Sequence, residues 1–309
     1  MKKGIVYRST GSWYTVQSQG SFYECRIKGK LRLKGIKSTN PVAVGDKVHF
    51  EVDSNTSLLE GNITYIEERQ NYIVRKSVNL SKQTQIIASN IDQVFLLVTL
   101  NNPPTFPAFI DRFLVTAEAY HIPAIVLFNK IDIYSEVDLN EINNLQMIYK
   151  KIGYSTYMIS ATKGDGVQKI KELMQDKVSM FSGHSGVGKS TLVNAISPSL
   201  NLKTSAISKQ HKQGMHTTTF AEMFALSKGI KIIDTPGIKG FGVVDMLPGE
   251  IGNYFPEFYQ RKGNCKFHNC IHLNEPECAI IKAVEKGAIA LSRYTSYTQM
   301  MEEDSTYRN

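Results

Sequence analysis

Between residues 4 and 68, short apolar runs at 5–7, 13–17, 22–27, 47–52 and 63–66 alternate with turns rich in Gly, Ser and Asn. Alternating runs bounded by turn residues read as strands, and five in so short a span predict a small Greek-key barrel of the OB-fold type. A polar stretch over 69–90 predicts a connector. Beyond it the period changes. Apolar strand-like runs at 94–99, 124–128, 154–159, 178–182, 221–225 and 230–233 are separated by helical patterns at 109–120, 141–153, 167–175 and 189–196. Strands alternating with helices predict a doubly wound sheet covered on both faces. From 245 onward the pattern is a cysteine-containing loop and then helices at 279–286 and 289–301. The expected division is therefore 1–70, 71–244 and 245–309, a multidomain α/β chain.

Composition narrows the class. No apolar run approaches the roughly 18 residues a membrane helix needs. Met1-Lys2-Lys3-Gly4 leads into a strand pattern rather than a signal peptide. A soluble, cytoplasmic monomer is expected. Charge is uneven: residues 1–53 carry ten Lys/Arg against four Asp/Glu, most of the net +8. In that span Trp13, Tyr14, Phe22 and Tyr23 are interleaved with Arg26, Lys28, Lys30, Arg32, Lys34 and Lys37. Aromatics that stack on bases beside cations that neutralise phosphates predict an RNA-binding barrel face. The same aromatics could instead fill the barrel core.

Chemistry concentrates in ordered motifs. Gly183-His184-Ser185-Gly186-Val187-Gly188-Lys189-Ser190, followed by Thr191, matches a phosphate loop between a strand and a helix. Its glycines let backbone N–H groups face a phosphate, and the helix N-terminus favours the same anion. Lys189 is expected at the β- and γ-phosphates and Ser190 on Mg²⁺. Asp234-Thr235-Pro236-Gly237 follows a strand; Asp234 can hold Mg²⁺ through water, and Gly237 can bring its N–H to the γ-phosphate. Upstream of both, Asn129-Lys130-Ile131-Asp132 ends an apolar strand. Asp132 can accept from the ring N–H and amino group of guanine, which adenine does not offer. The Lys130 stem can cover the base, Asn129 can brace adjoining loops, and Ser160-Ala161-Thr162 can present backbone N–H groups to the guanine carbonyl. The base reader thus precedes the phosphate reader, the reverse of the usual order, so the set is circularly permuted.

Two positions bear on hydrolysis. Ile238 follows Gly237, where Ras-like enzymes place a water-orienting glutamine. Slow intrinsic turnover is expected, or none, as in a scaffold using the nucleotide as a structural ligand. His216 lies in a polar segment with Thr217-Thr218-Thr219 and is a candidate to orient water, with Thr218 completing the Mg²⁺ shell; a solvated loop residue is the plain alternative.

Three of the four cysteines cluster with a histidine as Cys265-x₄-Cys270-x-His272-x₅-Cys278. Four such ligands would close a tetrahedron around one structural Zn²⁺. His268 is the rival nitrogen donor, and Cys25 stands apart in the barrel region.

Taken in order along almost the whole chain, these motifs resemble the RsgA family of small-subunit ribosome biogenesis GTPases, also called YjeQ or YloQ. The resemblance implies GTP hydrolysis to GDP and phosphate, stimulated by the small (30S) ribosomal subunit and its 16S rRNA during late maturation. It also implies a catalytic role for the histidine beside the threonine run, here His216. The family's phosphate loop often carries another polar residue at the place of His184.

Overall fold

A computed structural model of the chain describes residues 1–27, 41–53, 59–76, 84–200, 221–234 and 246–306. They form two compact units, each assembled from separate stretches of chain.

The first unit holds residues 1–94, 169–181 and 197–239. Strands β1 (Lys2–Ser9), β2 (Tyr14–Ser18), β3 (Ser21–Ile27), β4 (Lys47–Val52) and β5 (Glu60–Ile66) close a barrel in the order 1-2-3-5-4-1. All ladders are antiparallel except β3 with β5. Alternate residues point inward, as the period-2 pattern requires. Val6, Tyr14, Val16, Tyr23, Cys25, Val48, Phe50 and Ile63 make the core. Two of the four aromatics in the basic segment, Tyr14 and Tyr23, therefore belong to packing. Trp13 and Phe22 remain on the outer side, with the Arg26 guanidinium 3.8 Å from the Trp13 ring centre and Phe22 edge-on to Tyr7.

The stretch expected as a polar connector contains a hairpin, β6 (Tyr72–Lys76) with β7 (Thr84–Ser89). Its apolar signal is short, and much of its anchoring is polar. Arg69 grips Asp46 with two bonds of 2.6 Å, and Ser89 Oγ donates to the same carboxylate at 2.6 Å. Further along, β11 (Val178–Ser182) pairs in parallel with β13 (Lys231–Asp234), and β12 (Glu222–Ala225) is antiparallel to β13. β12 also pairs with β1 at Arg8 and Glu222, so the barrel continues into this sheet.

The second unit holds residues 95–168, 182–196 and 240–309. β8 (Gln93–Val98) is buried at every position, and after Gln93 it is a continuous apolar run, as of a strand covered on both faces. β9 (Ala124–Phe128) lies beside it and β10 (Ser155–Met158) beyond, parallel to β9. Helix α1 (Pro107–Ala119) starts with proline at its first position, where the missing N–H costs nothing. Helix α2 (Glu136–Lys151) begins five residues before the sequence expectation. Ser135 and Asp138 form a reciprocal capping box, a polar signal that an apolar period does not register. α3 (Val167–Leu173) belongs mainly to the first unit, and α4 (Lys189–Ile196) buries Leu192, Val193 and Ile196 in the second.

The C-terminal part contributes α5 (Pro248–Ile251), α6 (Pro256–Tyr259), α7 (Ala279–Glu285) and α8 (Leu291–Thr306). Its core of Phe255, Phe258, Ile280, Tyr297 and Met300 also includes Val115 of α1. Among the described residues, no helix is long and apolar enough to cross a membrane.

Candidate functional site

The phosphate loop lies between β11 and α4. Gly183 and Gly188 both have positive φ, at 137° and 102°. A side chain at Gly183 would strike the Leu97 carbonyl oxygen, and one at Gly188 the Asn129 amide. Both glycines are therefore needed for conformation and for close approach at once. The Lys189 ammonium donates to the carbonyls of Gly183 at 2.6 Å and His184 at 2.7 Å, so it lies inside the curve of the loop. Ser185 and Gly186 are exposed, Val187 is buried, and Ser190 and Thr191 are partly buried at the start of α4.

Asn129 joins the separate motifs. It is buried at the C-terminal end of β9, its backbone N–H bonded to Val98 O at 2.9 Å. Its side-chain N–H donates to Val187 O in the phosphate loop at 2.8 Å. Its side-chain oxygen accepts from Ala161 N at 3.0 Å. One amide thus spans 58 residues of sequence in one direction and 32 in the other. The Ala161 N–H is therefore committed to Asn129, where the sequence suggested a donor facing the base. Buried Ser160 donates from Oγ to Asp132 Oδ1 at 2.6 Å and accepts from Lys163 N at 3.0 Å, fixing one oxygen of an exposed carboxylate. Lys130 adopts the left-handed conformation, φ 70°, and its ammonium donates to Asn102 O at 2.5 Å. Ile131 follows in a short 3₁₀ turn, its N–H on Ile159 O at 3.3 Å.

The structure therefore gathers Asn129 to Asp132, Ser160, Ala161 and Gly183 to Thr191 within the second unit. Asp234, exposed at the end of β13, belongs to the first unit. Gly237, Ile238, His216 and Thr217 to Thr219 lie outside the described residues, as do Lys28, Lys30, Arg32, Lys34 and Lys37.

Several neighbours were not legible as site residues. Tyr134 OH accepts from Leu100 N at 2.9 Å, tying the 100–106 loop to the segment after Asp132. Pro103 lies against Gly186. The Asn102-Pro103-Pro104 run carries no spacing that ties it to the phosphate motif. Phe109 on α1 stacks on His184, and nothing in its helical pattern separated it from ordinary core.

At the C-terminus, Cys265, Cys270, His272 and Cys278 present ligand atoms that all lie within 4.8 Å of one another. His272 Nδ1 is 3.6 Å from Cys265 Sγ and 3.4 Å from Cys278 Sγ, and those two sulfurs are 4.0 Å apart. A tetrahedral zinc with such ligands has edges of roughly 3.5–3.8 Å, so the donor set fits. His268 is exposed and outside this group. Glu275 fixes the loop by accepting from Ile271 N at 2.7 Å and Leu273 N at 2.9 Å. Tyr294 OH donates to His272 O at 2.8 Å. Burial and neighbouring thiols push the Cys270 thiol up to about 12. Such crowding favours protons over thiolates unless a cation takes their place.

A closed OB-type barrel, a P-loop α/β fold with the Asn129–Asp132 segment upstream of its Gly183–Ser190 loop, and a Cys₃His group define a circularly permuted P-loop GTPase. Comparison with known proteins agrees. The family model described as RsgA GTPase matches residues 66–244, and the RsgA N-terminal domain matches 3–59. The Small ribosomal subunit biogenesis GTPase RsgA of Christiangramia forsetii is 64% identical over 308 residues, covering 99% of this chain and 98% of the relative. That of Bacteroides fragilis is 53% identical over 309 residues, covering 99% of each. The crystal structure of YjeQ from Thermotoga maritima superposes with a TM-score of 0.80 at 34% identity, covering 98% of both chains. The crystal structure of YloQ, a circularly permuted GTPase, gives 0.78 at 30% identity, covering 99% of this chain and 96% of that one. The chain belongs to the RsgA GTPase family.

Proposed function

We propose that this chain is a GTP hydrolase that binds the small ribosomal subunit, assists its late maturation and turns over GTP when docked there. The observation that carries the reading is the double hydrogen bond of Asn129, which links the 129–132 and 160–161 segments to the Gly183–Ser190 loop. Asp132, oriented by Ser160, accepts from guanine, and the Lys130 stem covers the base. Gly183 to Ser190 and Thr191 cradle the phosphates, with Lys189 on the β- and γ-groups. Ser190 and Thr218 would hold Mg²⁺, with Asp234 reaching it through water, and the ion would supply neutralisation of charge on the phosphate oxygens. Gly237 donates its N–H to the γ-phosphate, and His216 orients the attacking water in place of the glutamine that Ile238 lacks.

The Cys265, Cys270, His272 and Cys278 set holds one structural Zn²⁺. The barrel (1–70), with Trp13, Phe22 and Arg26 on its outer side, and the module at 245–309 both contact 16S rRNA. The protein acts in the cytoplasm as a monomer. The names of the relatives from Christiangramia forsetii and Bacteroides fragilis support the subunit, and the uneven basic charge of residues 1–53 supports the RNA.

The test is phosphate release from GTP by the purified chain with small subunits, large subunits or buffer. Stimulation by small subunits alone is expected, abolished by Lys189→Ala and reduced to the basal rate by His216→Ala. No multiple turnover under any condition would favour a scaffold that holds GTP without hydrolysing it.

A further inference from the structure

His184, the residue after the first glycine of the phosphate loop, does not point into solvent. Its ring lies on that of Phe109 with centroids 3.8 Å apart and planes tilted by 31°. The same residue's carbonyl oxygen accepts from Lys189 Nζ at 2.7 Å. The stack therefore fixes the peptide that in turn fixes the ammonium. Burial and the charge of Lys189 hold the His184 imidazole below its ordinary range, which keeps the ring neutral for stacking near pH 7.

The wall behind this ring is itself anchored. Phe109 sits in the first turn of α1, and Asp111, two residues on, faces another side because positions i and i+2 diverge on a helix. Asp111 is fully buried and accepts from Arg293 Nη1 at 2.7 Å and Tyr149 OH at 2.9 Å. Arg293 also donates to Glu257 at 2.7 and 3.2 Å, and its guanidinium lies 4.4 Å from the Phe255 ring centre. α1 is thus clamped to α2, α6 and α8 on one side while it offers Phe109 to the loop on another.

We propose that Phe109 and His184 are a positioning pair for the phosphate loop: the ring of His184 rests on the fixed ring of Phe109, and the pair aims Lys189 at the phosphates. This rests on the reading of Gly183 to Ser190 as a phosphate cradle. Neither ring needs to touch nucleotide. An aromatic pair contributes enough to move an equilibrium by about three- to tenfold.

The experiment is a fluorescent GDP titration with Mg²⁺ on the full chain, with thermal melts as the folding control. Phe109→Leu and His184→Ala each weaken GDP binding about three- to tenfold, while Phe109→Tyr and His184→Phe restore it. The double variant Phe109→Leu/His184→Ala is no weaker than either single one, since both remove the same contact. In GTP turnover kcat/KM falls with the affinity and is regained in Phe109→Tyr and His184→Phe. Unchanged affinity in both single variants, additive losses in the double variant, or no recovery in Phe109→Tyr and His184→Phe overturns the proposal. Lys189→Ala separates it from its premise: if that variant binds GDP as tightly as the parent chain, the cradle reading itself fails.

Discussion

Asn129 does at the scale of one residue what the motifs require together. Its amide satisfies Val187 O and Ala161 N, and both partners lie in segments read as nucleotide-binding. Asn129→Ala leaves a buried carbonyl and a buried N–H without partners, at about 1–3 kcal/mol each. GDP affinity and melting temperature are expected to fall together. Asn129→Asp keeps the acceptor for Ala161 but sets a carboxylate beside the Val187 carbonyl, so it is expected to be no better tolerated; titration calorimetry on both variants checks this. Asn129, Asp132 and Lys189 stand out in the sequence because the chemistry expected of them is carried by spaced polar residues. Phe109 and Arg293 were not. Each sits in an ordinary helical pattern, and its role comes from a partner 75 residues away in the one case and 182 in the other. The aromatics of the barrel show the converse. Composition grouped Trp13, Tyr14, Phe22 and Tyr23, but strand alternation sends Tyr14 and Tyr23 inward.

At the scale of elements, α1 and α8 are held by charge as well as by apolar contact. Arg293, Asp111 and Glu257 are all nearly inaccessible, and Asp111 Oδ2 has no bond partner among the described residues. Burial pushes the Asp111 carboxyl up even against the pull of the guanidinium. Removing only the cation therefore strands two carboxylates: Arg293→Met is expected to destabilise the fold by about 3–5 kcal/mol. Lys266→Met, which breaks an exposed pair with Glu277, is expected to change stability by less than about 1 kcal/mol. Urea melts of the two variants side by side measure the contrast. Strands such as β8 and β9 were readable from continuous apolar runs. The β6–β7 hairpin and the first turn of α2 were not, because an ion-pair network and a capping box hold them.

At the scale of the whole molecule, folding of the C-terminal module is expected to depend on its metal. The four ligands lie at the edge of the core that includes Val115 of α1, and closed Cys₃His sites supply folding energy directly. A strong chelator is expected to remove one metal per chain, read by mass spectrometry, and to lower the melting temperature; Cys278→Ala should do the same without chelator. The permuted order of motifs was legible in the sequence, because motif order is a sequence property. The interleaved composition of the two units was not, since it depends on which strands pair. The central claim is that a base reader upstream and a phosphate cradle downstream serve one nucleotide. Asp132→Asn tests it most directly, since an amide there matches the C2 carbonyl of xanthine in place of the amino group of guanine. GTP binding should fall at least about a hundredfold. Hydrolysis of XTP should appear and vanish again in Asp132→Asn/Lys189→Ala. An Asp132→Asn variant that still prefers GTP, or XTP turnover that survives loss of Lys189, would contradict the account.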